Sequence, residues 1–399
     1  MNDRSQPASL TEVFLVFLRL GCTSFGGPVA HLGYFHDECV QRRRWLDGAA
    51  YADLLALCQF LPGPASSQLV FALGRHRAGL AGALLASAAF ILPSAILMLL
   101  FAGGLHRWGQ HPDAGWLQGL KIAAVAVVAK AVWTMGRRLC PDLLRLALAA
   151  AAAAFVLLLA TAWSQIAALL AGAAVGWIAL QRAVVVATPA SSPPRRSLFA
   201  GGGALLLWAL LLFGLPLIPW SPDGAGAVFT GFYRAGSLVF GGGHVVLPML
   251  REVVVPTGWT TDNVFLAGYG AAQAVPGPLF SFTACLGALL HAGPGGIVGG
   301  LWALFAIYLP AWLLIGGALP FWETLRALPA LRAALAGANA AVVGILLAAF
   351  YQPVWLTAIH DWRDVALAVA AFLALHVWAR PAWMVVIAAA VLGQLLLGS

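Results

Sequence analysis

An arginine followed by paired glycines occurs twice within apolar runs of this chain. Arg19 precedes Phe-Gly-Gly at residues 25–27, and Arg234 precedes Phe-Gly-Gly-Gly at residues 240–243. A guanidinium is a permanent cation, and glycine lets successive backbone N–H groups turn towards one point. A charge inside an apolar run is costly in a bilayer, so its default role is functional. The pattern predicts two anion-binding elements.

A second motif follows each arginine. Gln59 comes shortly before Pro-Gly-Pro at residues 62–64, and Gln273 has the same relation to Pro-Gly-Pro at residues 276–278. Proline and glycine break a helix, and the free N–H groups of the helix that begins after the break favour an anion. Serine hydroxyls follow each break. Arginine, helix N-termini and hydroxyls together suit a compact oxyanion.

Each of these residues also has a structural interpretation. Pro-Gly-Pro alone is more often a kink than a site, although its duplication after a glutamine strengthens the prediction of a site. Gln59 and Gln273 could donate hydrogen bonds to a ligand or could bridge two helices. Each arginine could instead snorkel to the membrane surface, or pair with Glu12 or with a helix C-terminus.

Two histidines and a lysine form a further group of candidates. His31 and His244 follow the glycines and could relay protons or be interior structural histidines, while Lys121 could tune the site or reach the surface. The predicted substrate-binding residues of the first half are Arg19, Ser24, Phe25, Gly26, Gly27, Gln59, Pro62, Gly63, Pro64, Ser66 and Ser67. Those of the second half are Arg234, Phe240, Gly241, Gly242, Gly243, Gln273, Pro276, Gly277, Pro278 and Ser281.

The composition is that of an all-α integral membrane protein. Hydrophobic residues make up 62% of the chain and charged residues 9%, with a mean hydropathy of +0.90. Soluble globular proteins carry about 25% charged residues. The net charge of +8 arises mainly from arginines in short loops, where cytoplasmic membrane faces carry them. The expected partner is therefore the lipid bilayer, and nucleic acid is not expected.

Motifs for enzymatic chemistry are absent from the sequence. It contains neither a phosphate-binding G-x-x-x-x-G-K-[ST] loop nor H-E-x-x-H nor G-x-S-x-G. The five cysteines form neither an even framework nor a C-x-x-C pair. We expect no cofactor, no metal and no enzymatic activity. A membrane-embedded enzyme that acts on a lipid-borne phosphate stays a formal alternative.

The motifs divide the chain into two homologous halves. The first repeat covers residues 1–182, a linker with one connecting transmembrane helix covers 183–225, and the second repeat covers 226–399. One extra crossing between the halves predicts inverted repeats, as in many secondary transporters. We expect broken or re-entrant helices at the motifs and between about nine and about thirteen crossings of roughly 20 residues each.

Loop charges give the predicted orientation. Re-entrant motif segments place the arginines of residues 42–44 on the cytoplasmic side, where positive residues accumulate. The N-terminus is then cytoplasmic and the C-terminus periplasmic. The oligomeric state, including a homodimer, stays open.

At these motifs the sequence resembles the chromate ion transporter family, in particular its long bacterial members with two halves. The residues that carry the resemblance lie at 24–31, 43–46, 59–68, 239–248 and 268–280, and the similarity extends over nearly the whole chain. The resemblance implies a carrier of the bacterial inner membrane that exports chromate and confers chromate resistance. The predicted inverted repeats favour transport by alternating access.

The resemblance also links the family to sulfate, because both anions are tetrahedral dianions of similar size. It leaves open exchange against sulfate or coupling to the proton gradient. The alternative functions are a carrier or exchanger of sulfate or a related oxyanion, and an anion channel of the same fold.

Overall fold

The computed structural model describes residues 9–108, 115–159, 162–180, 195–240, 243–326 and 328–396. Every regular element within these ranges is a helix. The prediction of an all-α protein is thereby confirmed. Most of the predicted linker, residues 183–194, lies outside the described residues.

The first half contains short helices followed by long ones. A π-helical turn, Asp37–Arg42, extends the second helix. The α-helices are α1 Leu10–Thr23, α2 Gly27–His36, α3 Gly48–Phe60, α4 Ala65–Trp108, α5 Gly115–Leu139, α6 Leu143–Leu159 and α7 Ala162–Ala179. At 1.5 Å per residue, α1 and α3 are each about 20 Å long, too short to cross a hydrocarbon core of about 30 Å.

The connecting helix α8, Arg195–Gly214, leads to a second half with the same order. Its helices are α9 Ala225–Leu238, α10 Val246–Val254, α11 Asp262–Ala272, α12 Phe282–Leu289, α13 Gly296–Ala318, α14 Trp322–Arg326, α15 Pro329–Ala349, α16 Leu356–Ala358, α17 Trp362–His376 and α18 Ala382–Leu396. A π-helical segment, Phe350–Trp355, joins α15 to α16.

Five helical segments of the described chain are long and apolar enough to cross a membrane. They are Ala65–Leu105, Gly115–Leu139, Leu198–Leu217, Gly296–Phe321 and Pro329–Ala358. The first of these is bent, because Ala78 and Gly79 have non-helical backbone angles. The bend separates a short helix after the first Pro-Gly-Pro from a long apolar helix. These segments establish a multi-pass membrane protein.

Glycines bring helices of the two halves into close contact. Gly119 of α5 lies against the carbonyl of Ala389 in α18, and Gly337 of α15 lies against the carbonyl of Gly172 in α7. Small residues drive such packing in lipid, where burial of apolar surface contributes little. The equivalent helices α5 and α15 therefore each pack on the last helix of the other half.

A cluster of ion pairs ties α1 to the turn after α2 and to α4. Arg43 bonds Glu38 at 2.7 Å and Glu12 at 2.8 Å, and Glu12 also bonds Arg77 at 3.1 Å. The two guanidiniums lie 5.9 and 5.6 Å from the Trp45 ring centroid. Glu12 is thus paired with Arg43 and Arg77, and these pairs fix the bundle of short helices in the first half.

Glu38→Gln should lower the stability of the detergent-solubilised protein near neutral pH. Burial alone would raise the pKa of Glu38, but the hydrogen bonds from Arg43 and Arg42 outweigh it and lower the pKa. A carboxyl group whose pKa is lower in the folded than in the unfolded state stabilises the fold at pH values above its unfolded-state pKa. This contribution is lost as the pH falls through the folded-state pKa. We expect a loss of about 1–3 kcal/mol at pH 7 and a weaker pH dependence below pH 5, measured by thermal unfolding. Asp37→Asn, at an exposed neighbour, is the matched control; equal effects of the two changes would contradict the prediction.

Candidate functional site

A cavity of about 570 Å³ lies where the broken helices of the two halves meet. Its walls come from the breaks after α1, α3 and α11, from the start of α4, and from the C-terminal half of α5. The volume falls within the range of about 300–1,000 Å³ that small-molecule sites occupy. The exposed side chain of Arg138 lines it, so the cavity reaches the surface near the end of α5.

Backbone hydrogen bonds between the halves hold the breaks in place. The N–H of Gly63, in the first Pro-Gly-Pro, donates to the carbonyl of Val239 at 2.6 Å. The N–H of Gly277, in the second Pro-Gly-Pro, donates to the carbonyl of Ser24 at 2.9 Å. Ser24 and Val239 occupy the same position relative to the two Phe-Gly-Gly motifs. Each half therefore satisfies a backbone group at the break of the other.

Both central glycines have left-handed backbone angles. The φ of Gly63 is 119° and that of Gly277 is 95°, which L-residues with a side chain rarely adopt. The break after each proline follows from this turn chemistry. After the first turn α4 begins at Ala65, and the side chain of Ser66 lines the cavity one residue later. The N-terminal end of α4, with its free N–H groups, faces the cavity.

The structure brings some of the predicted residues together and leaves others outside the cavity. Those that line it are Gly26, Gly27, Gln59, Gly63, Ser66, Gly243, His244, Gln273 and Gly277. Those among the described residues that do not line it are Arg19, Ser24, Phe25, His31, Pro62, Pro64, Ser67, Lys121, Arg234, Phe240, Pro276, Pro278 and Ser281. Gly241 and Gly242 lie outside the described residues.

Several of the residues outside the cavity support its walls. His31 is buried, and its Nε2 donates to the carbonyl of Ser24 at 3.1 Å, the same carbonyl that accepts from Gly277. The hydroxyl of Ser94 donates to that of Ser281 at 2.7 Å and joins α4 to the second Pro-Gly-Pro segment. His31, Ser94 and Ser281 thus position the backbone around the breaks.

The charged residues predicted from the repeats occupy other places. Arg19 is exposed, on the face of α1 that also carries exposed Leu15. Arg234 is half-buried on α9. Lys121 is buried and bonds the side-chain oxygen of Asn263 at 3.1 Å. None of these three cations lines the cavity in this conformation.

Two cations of α5 line the cavity instead. Lys130 donates to the carbonyl of Leu375 at 2.8 Å, and Arg138 donates to the side-chain oxygen of Gln59 at 3.3 Å. Lys130, Thr134 and Arg138 recur at every fourth position and so share one face of the helix. No carboxylate lines the cavity among the described residues, so its lining carries a net positive charge.

Sequence reasoning missed Lys130 and Arg138 because it followed features shared by both halves. When Lys121 is aligned with Asn339, Lys130 falls opposite Ala348 and Arg138 opposite Leu356, so neither cation is repeated. The available signal was the spacing of polar residues along α5. A lysine and an arginine on one face of an otherwise apolar helix indicate a water-filled cavity.

Neutral polar groups complete the lining. The Nε2 of Gln273 is buried and has no hydrogen-bond partner among the described residues. The Nδ1 of His244 lies 2.8 Å from the hydroxyl of Tyr269. Asn339 of α15 adds a further amide to the lining. Two cations, three amides and a helix N-terminus around one water-accessible space can bind a compact anion and hold no group that would repel it.

Apolar helices of membrane-spanning length and a basic cavity between helices characterise a polytopic membrane protein. The model of the family described as "Chromate transporter" matches residues 11–177 and 226–394. The chain belongs to this family. The resemblance noted in the sequence motifs is thereby confirmed.

Individual relatives are similar over most of their length. A protein of Synechococcus elongatus named "Probable chromate transport protein" is 27% identical over 86% of this chain and 84% of its own. Proteins named "Chromate transport protein" from Cupriavidus metallidurans and Pseudomonas aeruginosa are 29% and 28% identical, over 86% and 85% of this chain and 82% and 80% of theirs. No solved structure matches the chain.

Proposed function

We propose that this chain exports chromate across the bacterial inner membrane and so confers chromate resistance. The observation that carries the proposal is the cavity between the broken helices, which holds Lys130 and Arg138 and, among its described lining, no carboxylate. Chromate is a compact dianion, and two cations balance its charge. The relatives named as chromate transport proteins support the same substrate.

The proposed route starts at the cytoplasmic face. With a cytoplasmic N-terminus and re-entrant motif segments, the end of α5 at Arg138 lies on the cytoplasmic side, so the cavity loads from within. Arg138 lies at the mouth, and Lys130 lies two helical turns deeper on the same face of α5. A dianion that leaves a cell with a negative interior gains roughly 4.6 kcal/mol per 100 mV, twice the value for one charge. The membrane potential therefore drives export.

Inverted repeats are part of the proposal, and two kinds of contact support them. The hydrogen bonds of Gly63 and Gly277 are exchanged between the halves, as a two-fold relation requires. The equivalent helices α5 and α15 also run antiparallel: Gln118 near the start of α5 bonds the carbonyl of Ala358 beyond the end of α15 at 2.7 Å, and Gly136 near the end of α5 faces Val343. Antiparallel equivalents are what an inversion produces.

In the proposed binding step the anion displaces water between α4 and α5. Lys130 and Arg138 balance its charge, while the amides of Gln59, Gln273 and Asn339 donate to its oxygens. Transport then requires that the cavity close towards the cytoplasm and open on the other side, by movement of one repeat against the other.

Flux of radiolabelled chromate in proteoliposomes tests the proposal. We expect chromate to move down its electrochemical gradient and to move faster when the potential favours the dianion. Acceleration by sulfate on the opposite side would establish exchange, and acceleration by a proton gradient would establish proton coupling.

The alternatives give different results in the same assay. A carrier whose own substrate is sulfate would transport labelled sulfate better than chromate. A channel would show flux that ignores anions on the opposite side. Intact, reconstituted protein without chromate flux would contradict the proposal.

A further inference from the structure

A second, smaller cavity of about 190 Å³ lies on α15. Five of its lining residues correspond one by one to residues of the larger cavity, at the spacing that aligns Lys121 with Asn339. Ile345, Ala348, Ala349, Gln352 and Pro353 stand opposite Val127, Lys130, Ala131, Thr134 and Met135. The second cavity is therefore the counterpart of the first in the other repeat.

The two cavities lie towards opposite ends of the helix pair. The larger one follows the C-terminal half of α5, and the smaller one follows the C-terminal half of α15 and the segment after it. Since α5 and α15 run antiparallel, their C-terminal halves point in opposite directions. One cavity thus reaches towards each face of the molecule.

A contact between two buried residues lies at the inner end of the smaller cavity. The side-chain nitrogen of Gln165 in α7 donates to the carbonyl of Pro248 in α10 at 3.5 Å, and both residues line the smaller cavity. The counterpart of Gln165 in the other repeat is Ala382, which borders the larger cavity and has no side-chain donor. The same place is therefore bridged by a side-chain hydrogen bond in one repeat, and the equivalent residue of the other repeat has no side chain that could form it.

We propose that the second cavity is the route by which the anion reaches the opposite face, and that the Gln165–Pro248 contact closes this route in the present conformation. The inference rests on the proposed transport function. It identifies the two alternating openings of the carrier with two particular cavities. In the other conformation the Gln165–Pro248 contact is broken, and the larger cavity is closed.

The wall of the second cavity is linked to the anion site. Arg251 at the end of α10 bonds both carboxylate oxygens of Asp262, at 2.8 and 3.0 Å, and so joins α10 to the start of α11. The other end of α11 leads to Gln273 in the larger cavity. A displacement of α10 away from α7 therefore carries α11 and Gln273 with it.

The charges of the two cavities differ in a way that favours release. Arg251 of the second cavity is neutralised by Asp262 and also bonds Glu252 at 3.4 Å. The lining of the second cavity thus holds one guanidinium and one carboxylate, whereas the lining of the larger cavity holds Lys130 and Arg138. An anion that passes from the first cavity to the second leaves an attractive field and enters one that attracts it much less.

Cysteine accessibility at two equivalent positions tests the inference. Ala131→Cys reports on the larger cavity and Ala349→Cys, at the equivalent buried position, on the smaller one, each in a background in which Cys22 and Cys140 are replaced by serine. The rate of reaction with a membrane-impermeant maleimide is measured from each side of oriented vesicles, and the background without a reporter gives the baseline. We expect faster labelling of Ala131→Cys from one side than of Ala349→Cys from the other.

Gln165→Leu removes the closing contact. We expect it to raise the labelling rate of Ala349→Cys about two- to tenfold and to lower that of Ala131→Cys, since one hydrogen bond contributes about 0.5–1.5 kcal/mol. Gln118→Leu removes a bond of the same kind, to the carbonyl of Ala358 outside both cavities, and should leave both rates unchanged.

Rates that change in the same direction at both reporters, or that do not respond to Gln165→Leu in folded protein, would overturn the inference. Chromate flux of the same proteins separates this failure from that of the proposed function. Flux without opposed labelling changes contradicts the second route alone, and opposed labelling without flux contradicts chromate as the substrate.

Discussion

Arg138→Gln should raise the KM for chromate transport at least tenfold, whereas the same change at the adjacent Arg137 should leave it nearly unchanged. Arg138 lines the cavity and bonds Gln59, while Arg137 lies 5.7 Å from the ring of Trp133 and does not line it. A charge-assisted hydrogen bond contributes about 1.5–3 kcal/mol, which corresponds to about a 10- to 100-fold change in affinity. Initial rates of flux over a range of chromate concentrations measure the effect.

Substitutions of Lys130 should affect the KM in the same way and distinguish the effect of charge from that of side-chain shape. Lys130→Gln removes the charge and should match the loss at Arg138, whereas Lys130→Arg retains it and should keep part of the affinity. Arg19→Gln, at an exposed residue outside the cavity, should change the KM less than either. Equal KM values for the Arg137 and Arg138 variants would show that the basic cavity does not bind the substrate.

Gly277→Ala should destabilise the protein and abolish most of its transport. The left-handed φ of 95° costs a residue with a side chain about 1–3 kcal/mol. The added Cβ would lie 3.1 Å from the hydroxyl of Ser94 and 3.3 Å from the carbonyl of Gly21. Relief of these contacts requires movement of the break and of its hydrogen bond to Ser24. Thermal unfolding in detergent and chromate flux measure the two losses.

Two further glycine-to-alanine substitutions test whether the loss is specific to the breaks or is a general effect of alanine. Gly63→Ala should act similarly, because its φ is 119° and the new Cβ would lie 2.7 Å from the side-chain nitrogen of Gln68. Gly103→Ala in α4 meets no atom within 4 Å and should be neutral or stabilising by up to about 1 kcal/mol. Wild-type stability and flux in the Gly277 variant would contradict the account of the break.

The breaks could be predicted from the sequence because they depend on local chemistry. Pro-Gly-Pro cannot continue a helix, so the turns at Gly63 and Gly277 follow from a few adjacent residues. The position of Arg19 depends instead on which face of α1 is covered. Arg19 shares its helical face with the exposed Leu15, and a period of 3.6 residues could have indicated this.

The cations of the cavity could not be predicted from the repeats. Lys130 and Arg138 occur in one half only, so a comparison of the halves passes over them. Their role depends on the packing of α5 against elements far along the chain, such as Leu375. The carbonyl that accepts a hydrogen bond from each Pro-Gly-Pro break also lies in the opposite half, so it too depends on packing between distant parts of the chain. Local rules predict that a break exists, and only the assembled structure identifies what fills it.

The exchanged hydrogen bonds at the breaks set an order for biosynthesis. The carbonyl of Ser24 is made early, but the N–H of Gly277 that it accepts from is made about 250 residues later. At roughly 5–20 residues per second this interval lasts roughly 13–50 s. During this time the first half lies in the membrane without the hydrogen bond that Gly277 donates to it. Maturation of the N-terminal half must therefore wait for the translation of the C-terminal half. If the two halves were produced as separate polypeptides, each would need the other to form the backbone hydrogen bonds at its break.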